Sequence, residues 1–327
     1  MLLQLEPLDA RIPAWDTTSL IDRCCPFCGS AGTDRFIRPD RLRVRQCPGC
    51  HCFFVSPSPS PEQLTKFYAT YYARHRKTEF TVYRDDPVLV REMLALDPQS
   101  DVKVRTLSSV MTLNGKRVLD VGSGLGQNLV LLRKLGAIVS GIDMDQDAVE
   151  FAHTRLGLEN VFRGDILSFT PASTYDLVTL HDVIEHPLDP LEVLQKARHL
   201  LSPAGMLSIW TPNASSFGIE ERPTALRVDL EHMQYLTFDT CRHIAKILKM
   251  RIVHLAAQGT PKLGSIKNLS DTSGTITPKR VLRGLLRYFP GFVRLNAWRR
   301  RLGQRRTGQG TYHLFCILRD EAEGTFH

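Results

Sequence analysis

The chain has 327 residues, 43% hydrophobic and 23% charged, the proportions of an ordinary soluble globular protein with room for one large domain and a small appendage. No apolar run approaches the ~18 residues of a membrane span, and the apolar start Met1-Leu-Leu-Gln-Leu5 is soon interrupted by Glu6, Asp9 and Arg11, so neither an integral membrane protein nor a signal peptide is expected. The net charge of +8, from 42 basic and 34 acidic residues, is local: the ten basic residues from Lys279 to Arg306 exceed it, which leaves the remainder near neutral.

Cys25-Pro-Phe-Cys28 and Cys47-Pro-Gly-Cys50 are two C-x-x-C pairs separated by 18 residues. Each pair can place two thiolates about one ion, and the intervening stretch is long enough for a hairpin. The spacing predicts a tetrahedral Cys₄ site for structural Zn²⁺, since four thiolates leave no open position for catalysis. A segment this small cannot build a sufficient core alone, so the metal is expected to supply much of its stability. Cys24 and Cys52 flank the pairs and read as small packed residues. Eight cysteines without a secretion signal imply a reducing, cytoplasmic location.

Ser56-Pro-Ser-Pro-Ser-Pro61 follows as a stiff connector. The spacing of Leu64, Phe67, Tyr68, Tyr71 and Tyr72 then predicts an amphipathic helix over 62–72. Its aromatic stripe can be core, or a lid over a ligand.

Val118-Leu-Asp-Val121 reads as a buried strand. It breaks into Gly122-Ser123-Gly124-Leu125-Gly126 and continues into a helix over 127–135. Strand, glycine turn and helix open an α/β unit that binds a nucleotide-like ligand at the strand's carboxyl end. A dinucleotide loop would place its third glycine at 127, which is Gln127, so the register differs from G-x-G-x-x-G. Strands over 137–143, 160–165, 175–181 and 205–211, with intervening helices over 147–155 and 191–200, predict a doubly wound parallel sheet. Asp143, at the second strand tip, can accept from both ribose hydroxyls. Asp165, at the third, can accept from an exocyclic amine, with Met144 and Ile166 flanking the ring. Each aspartate alone could equally cap a helix; matched strand tips in order favour a ligand.

Here a resemblance becomes specific. Leu119-Asp-Val-Gly-Ser-Gly-Leu-Gly126, Gly141-Ile-Asp-Met-Asp145, Gly164-Asp165, Tyr175-Asp176 with His181-Asp-Val-Ile-Glu-His186, and Leu201 to Asn213 resemble the successive motifs of class I S-adenosylmethionine-dependent methyltransferases, in the ubiquinone-biosynthesis-like branch. The leader resembles that of bacterial methyltransferases carrying a zinc ribbon. The resemblance implies a Rossmann-like, seven-stranded methyltransferase sheet behind a small N-terminal zinc ribbon, with strand six near 251–257 and an antiparallel strand seven near 312–318. It implies S-adenosylmethionine as cofactor, held by Asp120, Gly122, Ser123, Gly124, Gly126, Asp143, Met144, Asp165, Ile166 and the wall residue His181. The expected domains are a ribbon and connector over 1–61, a helical lead-in or lid over 62–115, the cofactor-binding core over 116–260, and a basic helical insertion with the last strand over 261–327.

A sulfonium carries an activated methyl, so catalysis is mainly alignment, and a base is needed only for an acceptor that keeps its proton. Candidate catalytic groups are His181, Glu185, His186 and His232, with Asp182 beside them. Asp182, Glu185 and His186 at i, i+3 and i+4 can share a helical face and, with His232, hold a divalent ion. Pro187 disfavours helix at His186, and a structural Glu185–His186 hydrogen bond is the simpler expectation.

Between 279 and 306, apolar residues interleave with arginines around Pro290-Gly291. The segment reads as amphipathic helices that cover the sheet, contact RNA phosphates, or lie peripherally on the inner membrane face. The expected activity is methyl transfer to a small molecule or a glycan- or lipid-linked intermediate, with oxygen favoured by the branch resembled. An RNA methyltransferase, or a zinc-ribbon binding protein without turnover, is the alternative.

Overall fold

In the computed structural model, the structure describes residues 2–8, 12–68, 87–259 and 311–321. Tyr71, Tyr72 and the 279–306 segment lie outside the described residues. Among those described, no helix is long and apolar enough to cross a membrane.

The central sheet is built from β5 (Arg117–Val121), β6 (Ile138–Asp143), β7 (Val161–Arg163), β8 (Tyr175–His181), β9 (Leu201–Pro212), β11 (Met250–Gln258) and β12 (His313–Asp320), in the order β11-β12-β9-β8-β5-β6-β7. β12 runs antiparallel between β9 and β11, while β5 pairs in parallel with β6 on one side and β8 on the other. Chain order therefore reverses at β5. In doubly wound sheets that reversal opens a crevice beyond the strand carboxyl ends. The seven strands, with the last antiparallel, are those expected.

The interior strands are apolar on both faces, as sheets covered on both sides require. Val118, Leu119, Leu177, Val178 and Leu180 are fully buried. The helices read their caps from sequence. Gln146–Leu156 starts on the Asp145 side chain and ends at Gly157 with φ of 59°, and Pro190–His199 starts on Asp189 with Pro190 in its first turn.

A second sheet, in the order β1-β2-β3-β4-β10, joins β1 (Leu3–Gln4), the hairpin β2 (Thr33–Ile37) and β3 (Arg43–Gln46), β4 (Phe53–Val55) and β10 (Gln234–Tyr235). Its last strand comes from deep in the chain: Gln234 pairs with Phe54 and Tyr235 with Phe53. The ribbon cysteines Cys25, Cys47, Cys50 and Cys52 pack in one hydrophobic cluster with Leu119, Leu180, Ile184, Leu236 and Cys241. The ribbon thus shares the core of the main sheet, a support additional to the metal that its small size leads one to expect. The connector is likewise no free spacer. Ser56, Ser58 and Ser60 are buried, and Ser58 exchanges backbone hydrogen bonds with Ile21. Ser60 also caps helix α1 (Pro61–Phe67) through the Gln63 amide. Cys52 is packed as expected, whereas Cys24 is exposed.

Candidate functional site

The glycine turn after β5 is built by sterics. Gly122 has φ of 66°, and a Cβ there would lie 2.6 Å from the Val183 side chain. Gly126, with φ of 85°, would meet Leu158 at 2.6 Å. Neither position admits a side chain. Gly124 differs: a Cβ there would point into open space, so its backbone faces a cradle that a ligand can approach. The Gly124 amide donates to Asp143 Oδ2 at 2.7 Å, and the Asp145 amide to Asp143 Oδ1 at 2.8 Å. The carboxylate at the β6 tip is thus held against the turn, and Ser123 Oγ is buried beside it without a partner.

Asp120 lies beneath. It is buried, accepts a short hydrogen bond from Thr179 Oγ1, and burial pushes its pKa up to about 6 against the opposing effects of Thr179, Asn128 and the Lys103 charge. Asp165 is exposed at the third strand tip and accepts from the Leu167 amide at 2.9 Å. Met144 is 71% exposed above the crevice, but Ile166 is 4% exposed and belongs to the core. Of the two expected ring neighbours, only Met144 is open to solvent.

His181, at the end of β8, is buried. Its Nε2 faces Ser208 Oγ at 2.9 Å and its ring packs edge-on against Phe315. Burial, with the nearby Lys103 charge, holds its pKa well below the ordinary histidine range. A neutral imidazole of such low basicity suits a wall better than a base.

No helix forms over Asp182-x-x-Glu185-His186. Those residues form a turn closed by the His186 amide donating to Val183 O at 3.0 Å, and Asp182 is exposed with φ of 55°. Asp182 therefore leaves the group, consistent with Pro187 excluding helix at the preceding residue. His232 arrives instead from a distant loop, and the ligand atoms of Glu185, His186 and His232 lie within 4.8 Å of one another. His232 Nε2 is 3.9 Å from Glu185 Oε1, and the His186 and His232 ring centroids are 4.7 Å apart. The expected Glu185–His186 hydrogen bond does not form: His186 Nδ1 faces Tyr68 Oη at 3.0 Å. Glu185 is fully buried, with His232 at 3.9 Å and the Thr211 hydroxyl nearby, and burial, reinforced by the Asp182 charge, holds its pKa well above the carboxylate range.

Gln234 fixes this turn from behind, donating from Nε2 to Ile184 O at 2.7 Å and Pro187 O at 2.8 Å. Arg23, next to the cysteine pairs, donates to Leu188 O at 2.7 Å. In the ribbon the four sulfurs converge, with Cys25 and Cys50 Sγ 3.4 Å apart, Cys28 and Cys47 Sγ 3.1 Å apart, and all four within 4.8 Å. The Gly49 and Cys50 amides both donate to Cys47 Sγ, as a thiolate ligand requires.

Residues 96–252 match a family model described as a methyltransferase domain. This part of the chain is a methyltransferase domain. It is similar to a ubiquinone biosynthesis O-methyltransferase of Coxiella burnetii, 33% identical over 117 residues that cover 34% of this chain and 50% of that protein. A protein of the same name from Glaesserella parasuis is 32% identical over 140 residues, covering 37% of this chain and 59% of that protein. The chain thus spans about half the length of the curated relatives it matches. A solved SAM dependent methyltransferase from Archaeoglobus fulgidus aligns at 21% identity and a TM-score of 0.43, over 72% of this chain and all of that one.

Sequence reasoning missed Lys103, Arg38 and Gln234. Lys103 sits on the helix Val102–Val110 before the methyltransferase domain's first strand, with Nζ 5.7 Å from the Trp210 ring, and its charge reaches both Asp120 and His181. Its place just ahead of β5 was the available signal. Arg38 and Gln234 carry no local pattern.

Proposed function

We propose that the chain transfers the methyl group of S-adenosylmethionine to an oxygen of a small molecule, free or carried on a glycan or lipid. The observation that carries this reading is the buried Glu185 carboxyl clustered with two imidazoles beside the glycine turn of a methyltransferase domain. The cofactor, when bound, supplies a methyl already activated as a sulfonium. Asp143 and the Gly124 cradle hold its ribose end, with Met144 and Asp165 toward the base. Asp120 and Lys103 lie toward its amino-acid end, where an anion and a cation suit an ammonium and a carboxylate.

Glu185, His186 and His232 form the acceptor wall. One carboxyl and two imidazoles fit a divalent cation, which would favour the ionised form of Glu185 that burial alone disfavours and would lower the pKa of a hydroxyl held there. Tyr68 orients His186 through its hydroxyl. His181 bounds the pocket and excludes water. Cys25, Cys28, Cys47 and Cys50 would hold a structural zinc ion with no position open to substrate.

The test is incubation with methyl-labelled S-adenosylmethionine and a cell extract, followed by separation into RNA, protein, lipid and small-molecule fractions. Label is expected in the lipid or small-molecule fraction and to fall on chelation of loosely held divalent cations. Label found only in RNA, or none in any fraction, would overturn the reading.

A further inference from the structure

Arg38 lies between β2 and β3 of the ribbon, far in sequence from the acceptor wall, and is completely buried. A guanidinium has five N–H donors in a fixed fork. All five are used. Nε and Nη2 clamp Asp40 at 3.1 and 2.5 Å. The second Nη2 proton goes to Leu230 O at 2.7 Å, and Nη1 donates to His232 O at 2.5 Å and Tyr235 Oη at 3.0 Å. Asp40 is itself held by Trp15 Nε1 at 2.8 Å.

Desolvating an ion pair is expensive, and an apolar pair would fasten the ribbon at lower cost. What an apolar pair cannot do is grip the two carbonyls that bracket Glu231 and His232. From the opposite side, the Val55 amide of β4 donates to Met233 O at 2.9 Å, and the Met233 amide donates to Glu185 O at 2.8 Å. The loop bearing His232 is therefore gripped by the ribbon on one flank and joined to Glu185 on the other.

We propose that Arg38 is a positioning residue. It locks the backbone at 230–232 so that His232 meets Glu185 and His186, which makes the ribbon a permanent part of the acceptor wall. The assignment of a role to that wall rests on the proposed function; the clamping of the loop does not. Lysine, with three donors on a flexible stem, cannot reproduce the fork.

The experiment compares zinc-loaded, full-length wild type with Arg38→Lys and Arg38→Met, measuring zinc content, S-adenosylhomocysteine affinity, amide hydrogen exchange and methyl transfer. For Arg38→Lys, zinc content and cofactor-product affinity should stay within about twofold of wild type. Exchange at 229–236 should speed up by about tenfold while 127–134 is unchanged. The turnover rate should fall by about tenfold or more with KM for the cofactor unaltered, as expected when a reacting group is displaced. Unchanged exchange at 229–236, or equal acceleration over 127–134, would overturn the proposal. If neither variant folds, Asp40→Asn keeps the guanidinium and loosens its anchor; faster exchange confined to 229–236 supports the clamp, and wild-type exchange there sinks it. Should wild type transfer no methyl at all, the functional reading fails, and the exchange contrast still decides the role of Arg38.

Discussion

The two halves of the crevice are built by opposite means. The proposed cofactor half runs almost continuously from Asp120 to Asp165, each group at or near the end of a strand that its neighbours in sequence align. The proposed acceptor half gathers Tyr68, Glu185, His186 and His232 from three distant segments and holds them with the ribbon through Arg38, Gln234 and the pairing of β4 with β10. Local geometry suffices to place a ligand whose shape is shared by many proteins. A wall for a particular acceptor must be assembled by long-range packing, and the cost appears as buried charge.

Loss of the proposed ribbon metal should produce the largest effect. Cys47→Ser removes a fully buried sulfur that accepts two amides, and the melting temperature should fall by about 10 °C or more, read by calorimetry with metal analysis. Because the ribbon packs in the core of the main sheet, the transition should remain single; a separate early transition would contradict the shared core.

A pH series separates the halves. Asp120 ionises near pH 6 rather than at its ordinary 3.8, because burial disfavours the charge. Its folded-state pKa is raised, so its ionisation costs stability above that value, at most about 3 kcal/mol. As pH falls from 6 toward 3.8 that cost is relieved. Cofactor affinity, which in the proposed site uses the carboxylate, should instead weaken by about tenfold per pH unit below 6. Calorimetric titration from pH 5 to 8 checks this, and an affinity flat across that range would remove Asp120 from the cofactor site.

Tyr68→Phe removes the hydroxyl that faces His186 and should slow methyl transfer by about fivefold, the scale of one hydrogen bond, with cofactor affinity unchanged. His181→Asn should have the smallest effect on turnover, under about threefold, because the proposed role of this buried imidazole, of lowered basicity, is to wall the pocket. A loss of about a hundredfold or more would restore His181 as a base.

How much could be read from sequence follows the same division. Alternating apolar strands and helices, the offset glycines and the carboxylates at strand tips are local signals, and all were visible. The paired cysteines revealed the ribbon, but not that Gln234 and Tyr235 complete its sheet, since a two-residue strand has no periodicity. Asp182 was grouped with Glu185 on helical spacing, and Pro187 decided the matter by keeping that stretch a turn. Ile166 read as a pocket residue because an apolar side chain at a strand tip can turn outward or inward; packing turned it inward. Arg38 was invisible, because its four partner residues lie in two segments nearly two hundred residues apart.

The central claim, a cofactor half and an acceptor half that fail independently, is tested most directly by Asp143→Asn and Glu185→Gln measured side by side for S-adenosylmethionine binding and methyl transfer. Asp143→Asn should lose cofactor affinity by about tenfold or more, since the lost charge-assisted hydrogen bonds are worth about 1.5–3 kcal/mol. Glu185→Gln should bind cofactor as wild type does while methyl transfer falls by about a hundredfold and becomes insensitive to divalent cations. Equal loss of cofactor affinity in both variants, or wild-type turnover in Glu185→Gln, would contradict it.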